Sequence, residues 1–380
     1  MWIYLAFWFA NIIFLITKKN SQIIVLASYF VFLILFVLNM GTTGDAYLYK
    51  TVYERGLWDG SGFEVGFIIL QKLIFFCGIR NYNILLFVIF TIGTLLLWVG
   101  LRKYDISFHA IFVISMPFIV PTFTVAIRFF IAFAALIAGL RYLLNKRYLL
   151  FVVFILIAFS FHRVSLFYII LLFCTTKRMD DLSNNRKVFL RLVGVMSLLY
   201  FLLCFLTGEN TIVRFIAYCV SEFFDISNDK LEAYTYTSTR FGGIVFVIIY
   251  FAGLITAVLI KKKIISEKKD LIDDISETYD MIQRLGKFNL NLNILLSVIL
   301  PLIAMNIVFY RLLLIGHVLN AVVLGMSYRY FYRDDNMMVL RFSLTGADIS
   351  LLVSGIMWYI PEIIRLQSIS IQGMFDVLPF

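Results

Sequence analysis

The chain has 380 residues, of which 62% are hydrophobic and 17% aromatic, while only 15% are charged; mean hydropathy is +0.94. A soluble domain carries about a quarter charged residues and about half apolar ones, and no single soluble core buries 40 phenylalanines and 21 tyrosines. This excludes an ordinary soluble protein, and the net charge of +10 does not mark a nucleic-acid binder, because the basic residues are spread over short turns between apolar runs.

Taken in chain order, residues 1–17 are apolar and are followed by Lys18 and Lys19, the reverse of a secretory signal, which predicts a retained first span with its N-terminus outward. Runs long enough to cross a bilayer follow at 22–40, 83–101, 124–144, 188–207, 242–260, 288–307, 309–327 and 344–361, with a shorter one at 106–121. The run 64–79 carries Glu64, Gln71 and Lys72 and is expected to be half-inserted or interfacial on the outer side. The stretch 148–176 is too long for one span and is interrupted by His162-Arg163-Val164-Ser165, which predicts two short helices meeting at a polar break.

With that assignment, most of the 33 lysines and arginines fall in inward loops, so both termini face out and about twelve helices span the membrane in a single all-α transmembrane domain, 1–380. Residues 41–63 form an outer loop with glycine turns. Residues 208–241 form a second outer loop, in which apolar side chains from Ile212 to Phe224 recur at helical spacing and predict an interfacial amphipathic helix. Residues 261–287 are a charged cytoplasmic loop suited to contact with anionic membrane lipid.

Ionisable residues in a membrane are expensive and mark function by default. Asp45, Glu64, Arg128, His162, Arg163, Arg214, Arg240 and Arg311 all map to the outer ends of spans or to outer loops, which points to one outward-facing polar site. Arg128 opens an otherwise apolar helix after Pro117 and Pro121; it suits either a snorkelling anchor or an anion site. Arg311 lies between two spans, where a simple turn would also explain it. An arginine fork binds phosphate oxygens in bidentate fashion and keeps its charge, so Arg128 and Arg311, with Arg214 and Arg240, are the candidates for a pyrophosphate.

His162 at the polar break suits either a structural role or a base near neutral pH; Glu64 and Asp45 follow it as candidates for activating or orienting a hydroxyl. Tyr47, Tyr49 and Tyr53 in the first outer loop fit an interfacial belt or, beside two carboxylates, a sugar site. His109 and His317 read as structural. No metal-ligand set and no nucleotide-binding loop is present, and Cys77, Cys174, Cys204 and Cys219 lack metal or disulfide spacing, so no cofactor is expected.

The order Asp45-x-Tyr47-x-Tyr49, Phe63-Glu64-x-Gly66-Phe67, Ile127-Arg128-x-x-x-Ala132 and Phe161-His162-x-x-Ser165 resembles the EpsG-like family of bacterial exopolysaccharide, capsule and O-antigen clusters, similar to Wzy polymerases. The sequence departs from that pattern at Val65, Phe129 and Val164. The resemblance implies a GT-C-like fold in the bacterial cytoplasmic membrane and a glycosyltransferase with its active site facing the periplasm or exterior. It would join undecaprenyl-pyrophosphate-linked oligosaccharide repeats into a chain, with a flippase and a chain-length regulator as partners. An O-antigen ligase or a polyprenyl-phosphate-dependent glycosyltransferase would share the outer arginines. A flippase would instead place ionisable groups along a path through the bilayer, in related halves, and the sequence has neither.

Overall fold

The structure, a computed structural model, describes residues 6–7, 10–11, 13, 22–39, 44–58, 61–102, 126–206, 242–267, 277–305 and 307–331. Among them every regular element is helical. The expected spans at 106–121 and 344–361, most of 1–17, and the amphipathic segment at 208–241 with Arg214 and Arg240 lie outside the described residues. The chain divides into two compact units, the first running to Ile169 and the second starting at Ile170.

The first unit contains α1 (Gln22–Asn39), α2 (Gly44–Arg55), α3 (Val65–Phe76), α4 (Tyr82–Leu101), α5 (Ile127–Leu144) and α6 (Tyr148–Phe161). At its centre is α5, packed between α4 and α6, with nearly every side chain from Ile127 to Leu140 buried. α1 leans on α4, and α3 leans on α6. The segment 41–63 is not built from turns alone, because α2 occupies its middle. Its tyrosines at 49 and 53 are four apart and so share one face, and that face is buried.

α3 has 12 residues, so it is about 18 Å long, well short of the roughly 30 Å hydrocarbon layer. It buries Phe67, Gln71 and Ile74 and presents Val65, Ile69, Leu73 and Phe76 outward. An apolar stripe left open on a short helix suits lipid contact, not water.

The break at His162 is where the sequence places it. α6 ends at Phe161, His162 is its C-cap in an extended conformation, and Arg163–Thr175 continues as a 3-10 helix. At about 2 Å rise per residue this segment extends roughly 26 Å, against about 20 Å if it were α-helical.

The second unit contains α7 (Lys177–Asn184), α8 (Arg186–Leu206), α9 (Gly242–Glu267), α10 (Glu277–Leu295), α11 (Ile299–Met305) and α12 (Leu314–Phe331). Short 3-10 turns lead into α11 and, at Ile307–Leu313, into α12. α9, α10 and α12 pack on one another, and α11 packs on α8. The helices flanking the charged loop reach into it: α9 runs to Glu267, and α10 begins at Glu277.

Among the described residues four helices are long and apolar enough to cross a membrane: Tyr82–Leu101, Ile127–Leu144, Ile244–Lys262 and Tyr279–Ala304. Exposed leucines, valines and isoleucines on α6 and α8 are consistent with a lipid-facing surface.

Candidate functional site

Four chain segments build the site in the first unit: α2, the turn into α3, the start of α5 and the break after α6. Gly62 has φ +68°, a left-handed conformation that costs glycine little, and it turns the chain from α2 into α3. Two residues later Glu64 is the N-cap of α3, yet its carboxylate makes no capping bond to its own helix. It reaches across instead. Gly66 then presses α3 against the end of α6, since a Cβ at Gly66 would lie 2.3 Å from Ser160 Oγ and 2.8 Å from the Ser160 carbonyl oxygen. That close approach carries Glu64 to the polar break.

Arg128 stands in the first turn of α5, whose cap residue Ala126 has no polar side chain to offer the open N–H groups. A cation at a helix N-terminus opposes the helix dipole, and Glu64 offsets it. Arg128 Nη1 donates to Glu64 Oε2, and Arg128 Nε donates to the Tyr49 hydroxyl at 3.0 Å. The guanidinium lies 5.4 Å from the Tyr49 ring centre and 5.1 Å from that of Phe63, which adds cation–π attraction. Tyr49, Phe63 and Phe67 pack ring to ring at 5.1 to 5.8 Å and form the floor beneath it.

The second Glu64 oxygen accepts the backbone N–H of Arg163 at 3.3 Å. One carboxylate therefore ties α3 to α5 and to the break after α6. His162, next in the chain, packs edge-on against Phe129 with ring centres 5.4 Å apart.

Side-chain exposures of 21% for Arg128 and 10% for Glu64 separate this pair from an ordinary surface ion pair. Water screens it less than a surface pair. These two bonds use two of the five guanidinium N–H donors, which leaves donors on Nη1 and Nη2 for an incoming anion.

Of the residues singled out in the sequence, Tyr49, Glu64, Arg128 and His162 thus come together in the first unit. Tyr53 does not join them: it is fully buried, its hydroxyl donates to the Ile79 carbonyl oxygen at 2.5 Å, and burial raises its phenol pKa. A ring so enclosed offers no face to a sugar. Tyr47 is 72% exposed. Asp45 lies in α2, with its side chain outside the described positions. Arg311 belongs to the second unit, half-buried next to Tyr310, whose ring stacks on Phe246 at 4.2 Å.

Sequence reasoning passes over one polar constellation, in the second unit. Asn289 and Asn293 on α10 both donate to Asn320 Oδ1 on α12, at 2.8 and 3.3 Å, and Asn320 Nδ2 donates to the Gly253 carbonyl oxygen of α9 at 2.9 Å. All three asparagines are buried. His317, Tyr250 and Asn293 line a small cavity beside them. Further along α10, Asn291 donates to the Cys174 carbonyl oxygen and to Asp180 Oδ1 on α7, while Lys287 pairs with Asp180 Oδ2 at 2.8 Å. The signal was present as Asn289-x-Asn291-x-Asn293 within an apolar run.

Among the described residues no three His, Cys, Asp or Glu side chains gather closely enough to hold a metal ion. No curated protein and no solved structure matches the chain. The model of the EpsG family matches residues 22–356, and the chain therefore belongs to the EpsG family.

Proposed function

We propose that this protein is a polysaccharide polymerase of the cytoplasmic membrane. It transfers an oligosaccharide from undecaprenyl pyrophosphate to a hydroxyl of another lipid-linked repeat at the outer face. The observation that carries this reading is the Arg128 cluster. A half-buried guanidinium is fixed by a tyrosine hydroxyl and two aromatic rings, at the uncapped N-terminus of a helix, in a chain of this family. A helix N-terminus and an arginine both favour an anion.

In the reaction the acceptor oxygen forms a bond to the anomeric carbon while the bond from that carbon to the diphosphate oxygen breaks. The electron pair goes to the diphosphate, and the acceptor's proton goes to a base. Arg128 stabilises the charge that develops on the leaving diphosphate, the step at which a preorganised donor gains most. His162, beside the same polar break, is the side chain assigned as base.

The test is complementation of a deletion strain followed by gel analysis of the polymer. Arg128→Ala is expected to abolish the long ladder while single-repeat material remains. Full-length polymer at normal levels overturns the assignment of Arg128. Loss of the single repeat in the deletion strain overturns the polymerase reading in favour of a ligase or flippase.

A further inference from the structure

We infer that Glu64 is an exchangeable counter-anion of the Arg128 site. It neutralises Arg128 when no substrate is bound, gives the guanidinium up to the diphosphate of a lipid-linked substrate, and takes it back as the spent lipid diphosphate leaves. The inference rests on the reading of Arg128 as the diphosphate residue and adds how that site fills and empties.

The geometry supports exchange in three ways. Glu64 gives Arg128 only one of its oxygens, and the other is held by the Arg163 N–H at 3.3 Å. The carboxylate can therefore release Arg128 and stay tethered beside it. The remaining contacts of Arg128, the 3.0 Å bond to the Tyr49 hydroxyl and the Tyr49 and Phe63 ring faces, do not involve Glu64. The guanidinium thus keeps its place whichever anion it holds. Both side chains retain some exposure, 21% and 10%, so a ligand has access to the pair.

The charges run the right way for turnover. A diphosphate brings more negative charge and more acceptor oxygens than a carboxylate, so it displaces Glu64 on arrival. Once the sugar has left, the terminal phosphate has lost an ester and gained an ionisable oxygen, and it would hold Arg128 more tightly than the substrate did. A carboxylate tethered within bonding reach has a high effective concentration and competes against that retention.

Glu64 makes and breaks no covalent bond in this scheme. It is a positioning residue.

The experiment uses full-length protein in lipid nanodiscs and measures binding of undecaprenyl diphosphate, with undecaprenol as the uncharged control. Glu64→Gln removes the competing charge and is expected to tighten diphosphate binding about tenfold, leaving undecaprenol unchanged. In a polymerisation assay the same variant is expected to lower KM and kcat together, since retained product slows turnover, a pattern that a loss of structure would not give. Unchanged or weaker diphosphate binding by monodisperse Glu64→Gln protein overturns the inference. Should that variant not be recovered monodisperse, Glu64→Asp decides, because its shorter reach loosens the pair: tighter binding supports exchange, and equal or weaker binding overturns it. Arg128→Ala separates the two levels. If it leaves diphosphate binding intact, the reading of Arg128 itself fails; if it abolishes binding while Glu64→Gln brings no gain, only the exchange falls.

Discussion

The Arg128 cluster of the first unit and the asparagine cluster of the second use polar groups to opposite ends. The first combines full charges, residual exposure and bonds that leave several donors uncommitted. The second is neutral and buried, and its side-chain amides are turned on one another and on the Gly253 carbonyl. Amides satisfied within a bundle hold helices together and leave little for a ligand. A partly exposed charge with uncommitted donors is what a ligand can capture. The contrast separates polar residues suited to binding from those that brace.

The largest expected effect lies on the binding side. Arg128→Ala should reduce polymer formation by about 100-fold or more, the usual loss when one preorganised electrostatic donor is removed, with little change in the melting temperature of the second unit. Arg128→Lys should recover only a small part of the activity, because an ammonium cannot keep both the Tyr49 bond and a bidentate hold on phosphate. Equal activity of the lysine variant and the wild type would reduce Arg128 to a point charge.

Gly66→Ala comes next. Its Cβ would meet the Ser160 backbone carbonyl, which cannot swing away, so about 1–3 kcal/mol of stability should be lost. Because the same contact carries Glu64 to the break, activity should fall further than Gly194→Ala, where a Cβ meets nothing. Parallel thermal melts and ladder assays of the two variants check this.

On the bracing side, Asn320→Leu removes the acceptor of Asn289 and Asn293 and the donor to Gly253. The expected cost is about 1–2 kcal/mol, since amide bonds between membrane helices contribute modestly. It should appear as a lower melting temperature in detergent with ladder length unchanged in the folded fraction. A ladder lost at full stability would move the asparagines to the binding side.

Tyr49→Phe is the smallest change. It deletes one hydroxyl bond to Arg128 while leaving the ring beneath it, so about 0.5–1.5 kcal/mol, a several-fold loss in kcat/KM, is expected.

Much of the helical framework is legible in the sequence because apolar length is a direct demand of the bilayer. The runs at 83–101 and 188–207 and the break at His162 correspond to helix limits in the structure, while the helix that starts with the run at 242–260 continues to Glu267. α2 is not legible that way: its composition is polar, and it forms because Tyr49 and Tyr53 have a surface to pack on. Charge singled out both Glu64 and Arg128, but their pairing, across 64 residues, depends on the Gly62 turn and the Gly66 contact, which belong to three-dimensional packing. The asparagine cluster is not legible in the sequence, because a neutral amide in an apolar run carries no conspicuous cost until its partners are known.

The contact from the Arg163 N–H to Glu64 is made by the main chain. An alanine scan is therefore blind to it. Arg163→Ala would keep the N–H and report only on the side chain, whereas Arg163→Pro removes the donor itself and should set the carboxylate adrift. A residue can thus score as dispensable by its side chain while its peptide group holds the tether.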